Sequence, residues 1–241
     1  MTNIAAFFDI DGTIFRNSLM IEHFKKLISF EVIDPTIWYT QVKKTYMEWE
    51  SRYGDFEHYL DVLANVYLEE LKGVKKDYIE YIAAHVINVN GDMVYKYSRD
   101  RIEWHKEQGH KVFFVSGSPD FLVSKMAEKY EITEYRGSLY EVDDGNRFTG
   151  EIVKMWDSKS KQGAIDELID KYDVDLDKSY AYGDTPGDLS MLRMMGNPIA
   201  INPNRDLFIS IRDDEELSKK TTIVVERKNI VYKLDSSIEI L

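Results

Sequence analysis

Cysteine is absent from the 241 residues, which removes disulfides, thiolate metal sites and cysteine nucleophiles from the chemistry open to this chain. Histidine is scarce. The five (His23, His58, His85, His105 and His110) show no zinc-site spacing and read as scattered surface or half-buried side chains. No apolar run is long enough to span a bilayer. The N-terminus enters a strand pattern within a few residues, with no basic leader and no cleavage signal, so nothing directs export and a cytoplasmic location is expected. Internal repeats and low-complexity linkers are also missing. Positive charge is in short supply: 31 Lys and Arg stand against 43 Asp and Glu, a net charge of −12. Long-range attraction to nucleic acid or an anionic membrane is therefore not expected. An anionic ester would approach such a chain only if a metal ion and a placed Lys or Arg reversed the field locally.

The residues that are present suit one globular domain, or a core domain with a smaller insertion: 44% are hydrophobic and 31% charged. Short apolar runs at 4–8, 112–115, 180–182 and 198–201 end in small or acidic residues, and helical patterns separate them. That alternation predicts an α/β fold with a parallel, Rossmann-like sheet. The segment 17–90 carries no strand signal. Met20, Phe24, Leu27 and Ile28 share one helical face; Asp34-Pro35 supplies an N-cap and a first-turn proline; Trp38, Val42, Thr45, Tyr46 and Trp49 share the next face up to Gly54. Asp55 caps a third pattern through Phe56, Tyr59, Leu60, Leu63 and Tyr67 to Gly73, and Tyr78, Ile82 and Val86 suggest a fourth before Gly91. These predict a helical insertion over 17–90, placed to act as a cap, with residues 1–16 and 91–241 forming the core. Its aromatics, at helical spacing, are expected to be bundle core. Further on, runs at 138–142 and 148–153 flank a hairpin turn at Asp143-Asp144-Gly145-Asn146, and runs at 221–225 and 230–234 predict antiparallel strands at a sheet edge. The acidic-then-basic run at 213–220 reads as a solvated helix face.

Chemistry is expected beyond the carboxyl ends of the strands. Asp9-Ile10-Asp11-Gly12-Thr13 follows the first run, and both carboxylates can point to one side if the chain stays extended. Paired carboxylates in one pocket repel unless a cation lies beside them, and oxygen ligands suit Mg²⁺. Ser116-Gly117-Ser118-Pro119 follows the second run and offers a hydroxyl and free N–H groups at a strand-to-helix turn, a phosphate cradle. Lys161 falls near the first turn of a helix capped by Asp157 or Ser158, where it opposes the helix dipole. Gly183-Asp184-Thr185-Pro186-Gly187-Asp188 follows the third run. Thr185 reads as N-cap and Asp188 as its capping-box partner, which leaves Asp184 without a structural reason.

Taken in order, DxDGT, the Ser116 turn, Lys161 and GDxxxD resemble the four motifs of the haloacid-dehalogenase superfamily. The helical insertion between the first two is similar to a C1 cap. With the Lys161 context and Tyr180-Ala181-Tyr182-Gly183-Asp184, the chain looks like subfamily IB, the phosphoserine-phosphatase-like hydrolases. The resemblance implies a Mg²⁺-dependent phosphatase acting on a small phosphorylated metabolite. Asp9 would be the nucleophile that forms an aspartyl-phosphate, and Asp11 the acid and base. Ser116, Gly117 and Lys161 would hold the phosphoryl oxygens. Asp9, Asp184 and the backbone carbonyl of Asp11 would hold Mg²⁺, with Asp188 in support. A phosphomutase and a non-catalytic phospho-ligand-binding homologue are the alternatives. The sequence departs from true phosphoserine phosphatases in two places. Asn17-Ser18-Leu19 stands where an acid reads the substrate amino group, Glu22 being the nearest acid, and no Arg occurs around 56–63 to hold the carboxylate.

Overall fold

A computed structural model describes residues 3–240. Eight strands form one sheet in the order β4-β3-β2-β1-β5-β6-β7-β8: β1 (Ala5–Phe8), β2 (Lys111–Pro119), β3 (Glu134–Val142), β4 (Phe148–Val153), β5 (Tyr180–Gly183), β6 (Asn197–Ile201), β7 (Thr222–Arg227) and β8 (Ile230–Leu234). β4 and β8, at the two edges, run antiparallel to their neighbours; all other pairings are parallel. Of the C-terminal pair, β7 thus continues the parallel sheet and only β8 turns back. All four residues of β1 are buried, as a central strand covered on both faces requires.

Side chains alternate across this sheet and sort into two cores. Ala5, Phe7, Phe113, Val115 and Ala181 face one way, toward Ile165 and Leu168 of α8 (Ser158–Tyr172) and Met191 and Leu192 of α9 (Leu189–Met194). Ala6, Phe8, Phe114 and Tyr182 face the other way. Phe8 stacks on Tyr182 with ring centroids 4.0 Å apart.

The segment between β1 and α6 (Lys96–Glu107) is helical: α1 (Leu19–Ser29), α2 (Pro35–Ile37), α3 (Lys43–Glu50), α4 (Phe56–Leu71) and α5 (Lys76–Asn90). The Asp34 side chain accepts from Thr36 N, and that of Asp55 from Glu57 N, as capping residues do. A π-helical stretch, Trp38–Val42, joins α2 to α3. Trp38, Tyr46, Trp49, Phe56 and Tyr59 pack ring against ring, so the aromatics at helical spacing are core. Tyr53 is the exception at 91% exposed, since it lies in the turn after α3 and belongs to no face. In α5 the buried stripe is Ile79, Ile82, Ala83 and Val86, and Tyr78 lies one position off it, partly exposed.

Entry and exit of this segment are stitched together. Arg16 N donates to Met93 O (3.0 Å) and Tyr95 N to Ile14 O (2.9 Å). Glu22 ties the same crossing, accepting from Asn17 Nδ2 at 2.7 Å and Asn90 Nδ2 at 2.9 Å. The helices also join the β3–β4 hairpin through main-chain bonds from Gly73 N to Phe148 O and from Phe148 N to Val74 O. One buried cluster runs from Phe8 and Tyr182 through Tyr59, Leu63 and Ile82, so the helices and that face of the sheet share an interior.

The remaining helices are α7 (Asp120–Lys129), α10 (Arg205–Asp213) and α11 (Glu215–Lys220). The run at 213–220 is not one solvated face: α10 ends at Asp213, Asp214 caps α11, and Leu217 is buried between them. His23 and His105 are fully buried, not surface or half-buried as their scatter suggests; His23 Nδ1 lies 2.6 Å from Tyr67 Oη, and His105 Nε2 2.8 Å from Tyr182 Oη. No helix among the described residues is long and apolar enough to cross a membrane.

Candidate active site

Register brings the motif residues to one edge of the sheet. Phe8 pairs with Phe114 and with Tyr182, so Asp9 and Asp184 follow the carboxyl ends of β1 and β5, and Ser116 lies beside them in the carboxyl-terminal half of β2. Asp9 N donates to Tyr182 O (3.0 Å), which continues the β1–β5 ladder by one step. Asp9 shares the parity of Ala5 and Phe7 and therefore turns toward α8. The Asp157–Ser160 capping box starts that helix, placing Lys161 just inside its first turn.

Lys161 is buried. Its Nζ donates to Asp9 Oδ1 at 2.7 Å and to Asp188 Oδ1 at 2.6 Å. The Asp188 carboxylate has a second duty, accepting through Oδ2 from Asp184 N (3.0 Å) and Thr185 N (3.1 Å). The capping box read from Thr185 and Asp188 is present, but it does not account fully for Asp188, which also anchors the lysine. Glycine is required nearby: a Cβ on Gly183 would stand 2.4 Å from Asp188 Cβ.

Asp11 is held by a different set of partners from Asp9. β1 ends at Phe8, and Gly12 takes a positive φ of 82° in a turn closed by Thr13 N and Phe15 N on Ile10 O. The regular strand therefore ends before the motif. The Asp11 carboxylate accepts from Leu19 N (2.9 Å), Ser118 Oγ (2.6 Å) and Ser18 Oγ (3.2 Å), near the start of α1. The same turn brings Gly12 against Asp184, where a Cβ would lie 2.0 Å from Oδ2. Thr13 Oγ1 donates to Asp184 Oδ1 at 2.8 Å. Ser116 is buried beside this group and its Oγ accepts from Ser118 N (3.2 Å). Gly117 is pinned from below by Ser138, whose Oγ donates to Gly117 O at 2.7 Å.

Thr13, Ser18 and Ser118 were not singled out from the sequence. Thr13 and Ser118 belong to short motifs whose other members drew the attention. Ser18 carried no signal of its own, because its contact depends on where α1 begins.

The electrostatics are those of crowded, buried acids. Carboxylate oxygens of Asp9, Asp184 and Asp188 lie within 4.8 Å of one another. Burial, with Asp188 and Asp11 adding to it against Lys161, pushes Asp9 up to about 8. Burial and then the Asp9 and Asp188 charges hold Asp184 well above the ordinary carboxylate range. Asp11 is also raised by burial, against its three hydrogen bonds. Burial disfavours the Lys161 charge, yet Asp188 and Asp9 outweigh it and keep the ammonium protonated. Ionising all three carboxyls around one ammonium would leave two negative charges uncompensated in a site where burial makes them costly. An oxygen-only set with that deficit fits a hard divalent cation.

The chain matches the family model of haloacid dehalogenase-like hydrolases over residues 6–193. It belongs to that family. Similar curated proteins include the "Inhibition of morphological differentiation protein" of Streptomyces azureus, 28% identical over 205 residues and covering 84% of this chain and 73% of that protein. A "Histidinol-phosphatase" of Neisseria meningitidis serogroup C is 24% identical over 222 residues, covering 86% of this chain and 93% of its own. Among solved structures, a protein of unknown function from Bordetella pertussis Tohama I superposes with a TM-score of 0.71 at 18% identity, over 88% of this chain and 96% of that one. A substrate-bound phosphoserine phosphatase gives 0.59 at 20% identity, over 92% and 93%. These likenesses show the fold, the α/β sheet of this hydrolase family.

Proposed function

We propose that this hydrolase is a Mg²⁺-dependent phosphatase that cleaves a small phosphomonoester through an aspartyl-phosphate. The observation that carries the reading is the buried lysine bridging Asp9 and Asp188, with the Asp184 carboxylate alongside, at the carboxyl ends of β1 and β5. In the reaction the Asp9 carboxylate attacks phosphorus, forming an O–P bond as the ester P–O bond breaks. Asp11 gives its proton to the departing alkoxide; the raised pKa of this carboxyl favours the protonated form it needs. A water then attacks phosphorus, Asp11 takes its proton, and Asp9 is released with inorganic phosphate. Lys161, the Ser116 hydroxyl and the Gly117 N–H neutralise the phosphoryl oxygens. Asp9, Asp184 and the backbone carbonyl of Asp11 would hold Mg²⁺, which supplies charge against the phosphoryl oxygens. Asp188 keeps Lys161 and the Asp184 loop in position. The helices 17–90 act as the cap that covers the ester.

The leaving group is one that needs no carboxylate clamp. Glu22, the nearest acid to the Asn17-Ser18-Leu19 turn, is committed to Asn17, Asn90 and Lys25 at the crossing. Ser18 is turned onto Asp11. Neither is left to receive an ammonium. The relative named histidinol-phosphatase supports an amino-alcohol phosphate with a flat ring. Such a leaving group shares the ammonium of phosphoserine, to be met by solvent or by an acid other than Glu22, but lacks its carboxylate and so demands one charged partner fewer.

Phosphate release from a panel of phosphomonoesters tests the reading, first with Mg²⁺ and then with EDTA. Mg²⁺-dependent turnover without a sugar-bisphosphate activator is expected. No release from any compound, or release only with such an activator, would overturn it in favour of a binding homologue or a phosphomutase.

A further inference from the structure

Away from the carboxyl ends, the sheet face that carries Phe8 and Tyr182 holds a groove of about 260 Å³. Its floor includes Tyr180 and Thr222, the first residues of β5 and β7, so it lies toward the strand ends opposite Asp9 and Asp184. Tyr97 and Arg101 of α6 form one wall, and Lys233 of β8 stands on the other.

The cations here are unusual for a chain of net charge −12. The Arg101 guanidinium lies 3.8 Å over the Trp104 ring, and its Nε donates to Tyr182 Oη at 3.1 Å. Its near neighbours in α6 are paired elsewhere: Asp100 with Lys96 and Arg99, Glu103 with Lys106. Glu226 is turned onto the N–H groups of Lys96 and Tyr97. Among the described residues, neither Arg101 nor Lys233 forms an ion pair, whereas Lys220 at the groove is occupied by the carbonyls of Arg193 and Met195. A half-buried arginine held rigid by stacking, with its terminal N–H groups free and tyrosines beside it, is a recognition element for a planar anion. The opposing lysine adds a second charge.

We propose that this groove is a second ligand site, distinct from the carboxylate cluster, that binds a planar aromatic anion, the ring against Tyr97 and Tyr180 and the carboxylate or phosphate between Arg101 and Lys233. The inference does not depend on the catalytic reading, because its test measures binding alone.

Calorimetric titration of the full chain in EDTA without added phosphate, using orotate and adenosine 5′-monophosphate in separate arms, examines it. One-site saturable binding of at least one probe is expected, with the arms separating a carboxylate from a phosphate source. Arg101→Gln and Lys233→Glu should each weaken it by at least about fivefold. Lys233 is exposed, so its variant leaves the core packing alone and should melt with the wild type. No saturable binding of either probe at millimolar concentration overturns the proposal, and so does unchanged affinity in Lys233→Glu.

Discussion

Replacing Lys161 with methionine separates the lysine's two roles. The side chain is buried, 4% exposed, and bonded to two carboxylates at 2.7 and 2.6 Å. Methionine nearly preserves its volume and removes the charge. Breaking a buried pair by deleting one partner costs about 3–5 kcal/mol, because the other charge is left uncompensated. Here the orphaned carboxyls can escape part of that cost by taking up a proton, since burial already pushes Asp9 up to about 8 and it loses its counter-charge in the variant. A carboxyl whose folded pKa is raised binds more protons in the folded than in the unfolded chain. The variant therefore regains stability relative to wild type as pH falls. Urea denaturation in EDTA should show a deficit of about 3 kcal/mol at pH 8 that narrows by pH 5.5. Catalysis should suffer separately. Losing one donor to the developing oxyanion typically costs about 10²–10³ in kcat, while the apparent Mg²⁺ affinity should not weaken, because a positive charge has been taken from the ion's surroundings. Turnover within about tenfold of wild type would refute the phosphoryl role. A stability loss under about 1 kcal/mol at pH 8 would refute the electrostatic reasoning.

Other outcomes follow from the same contacts. Gly12→Ala puts a methyl 2.0 Å from Asp184 Oδ2 at a positive φ, so it should raise the Mg²⁺ concentration needed for half-maximal activity; an unchanged Mg²⁺ titration would contradict this. Asp11→Asn should slow both appearance and decay of the phospho-enzyme, and normal single-turnover rates for both steps would remove Asp11 from the chemistry. Burial pushes His23 and His105 down to about 3, with Arg101 and His110 adding to the effect at His105. Each stays neutral when folded but protonates when unfolded. Their contribution is complete above the unfolded value near 6.5 and is lost as pH falls toward 3, about 2 kcal/mol each between pH 6.5 and 5. His105→Gln should lessen that acid-side loss relative to wild type in urea melts, and parallel pH profiles would count against it. L-histidinol phosphate should exceed L-phosphoserine in kcat/KM by at least about tenfold, since both carry the ammonium but only phosphoserine adds a carboxylate, and one buried charge without a partner costs several kcal/mol. The reverse order would mean that the cap supplies a cation after all.

Much of this site was legible because each motif sits where a periodic pattern changes. The run 4–8 is too apolar for a loop and too short for a helix, so Asp9 had to lie at a strand end, and β1 does stop at Phe8. Asp157 and Ser158 announced the helix start that sets Lys161 in place. Less was legible where a contact depends on how elements pack. The bonds that hold Asp11 hang on where α1 begins, since Ser18 and Leu19 supply two of them. The second role of Asp188 needs α8 to approach the β5 loop, and nothing in GDxxxD reports that distance. Two tyrosines failed as core residues for a related reason: Tyr78, placed by its spacing to Ile82 and Val86, is one position off the buried stripe of α5, and Tyr53, grouped with the aromatics of the insertion, lies past the end of α3.

The charge balance that looked awkward for a phosphate ester is resolved locally. A net charge of −12 repels an anion at long range, but exposed charges more than about 10 Å away are screened at ordinary ionic strength. What the ester meets at contact distance is different. Lys161 is fully desolvated, and its ammonium cannot be neutralised by bulk ions or moved away from Asp9 and Asp188 without exposing them. The same burial that keeps this lysine in place leaves three carboxylates short of positive charge, and that shortage is what gives the site its demand for a divalent ion. Attraction for the ester is thus created by the acids themselves, through the cation they require. Adding surface lysines would change the rate of encounter but would not replace that cation.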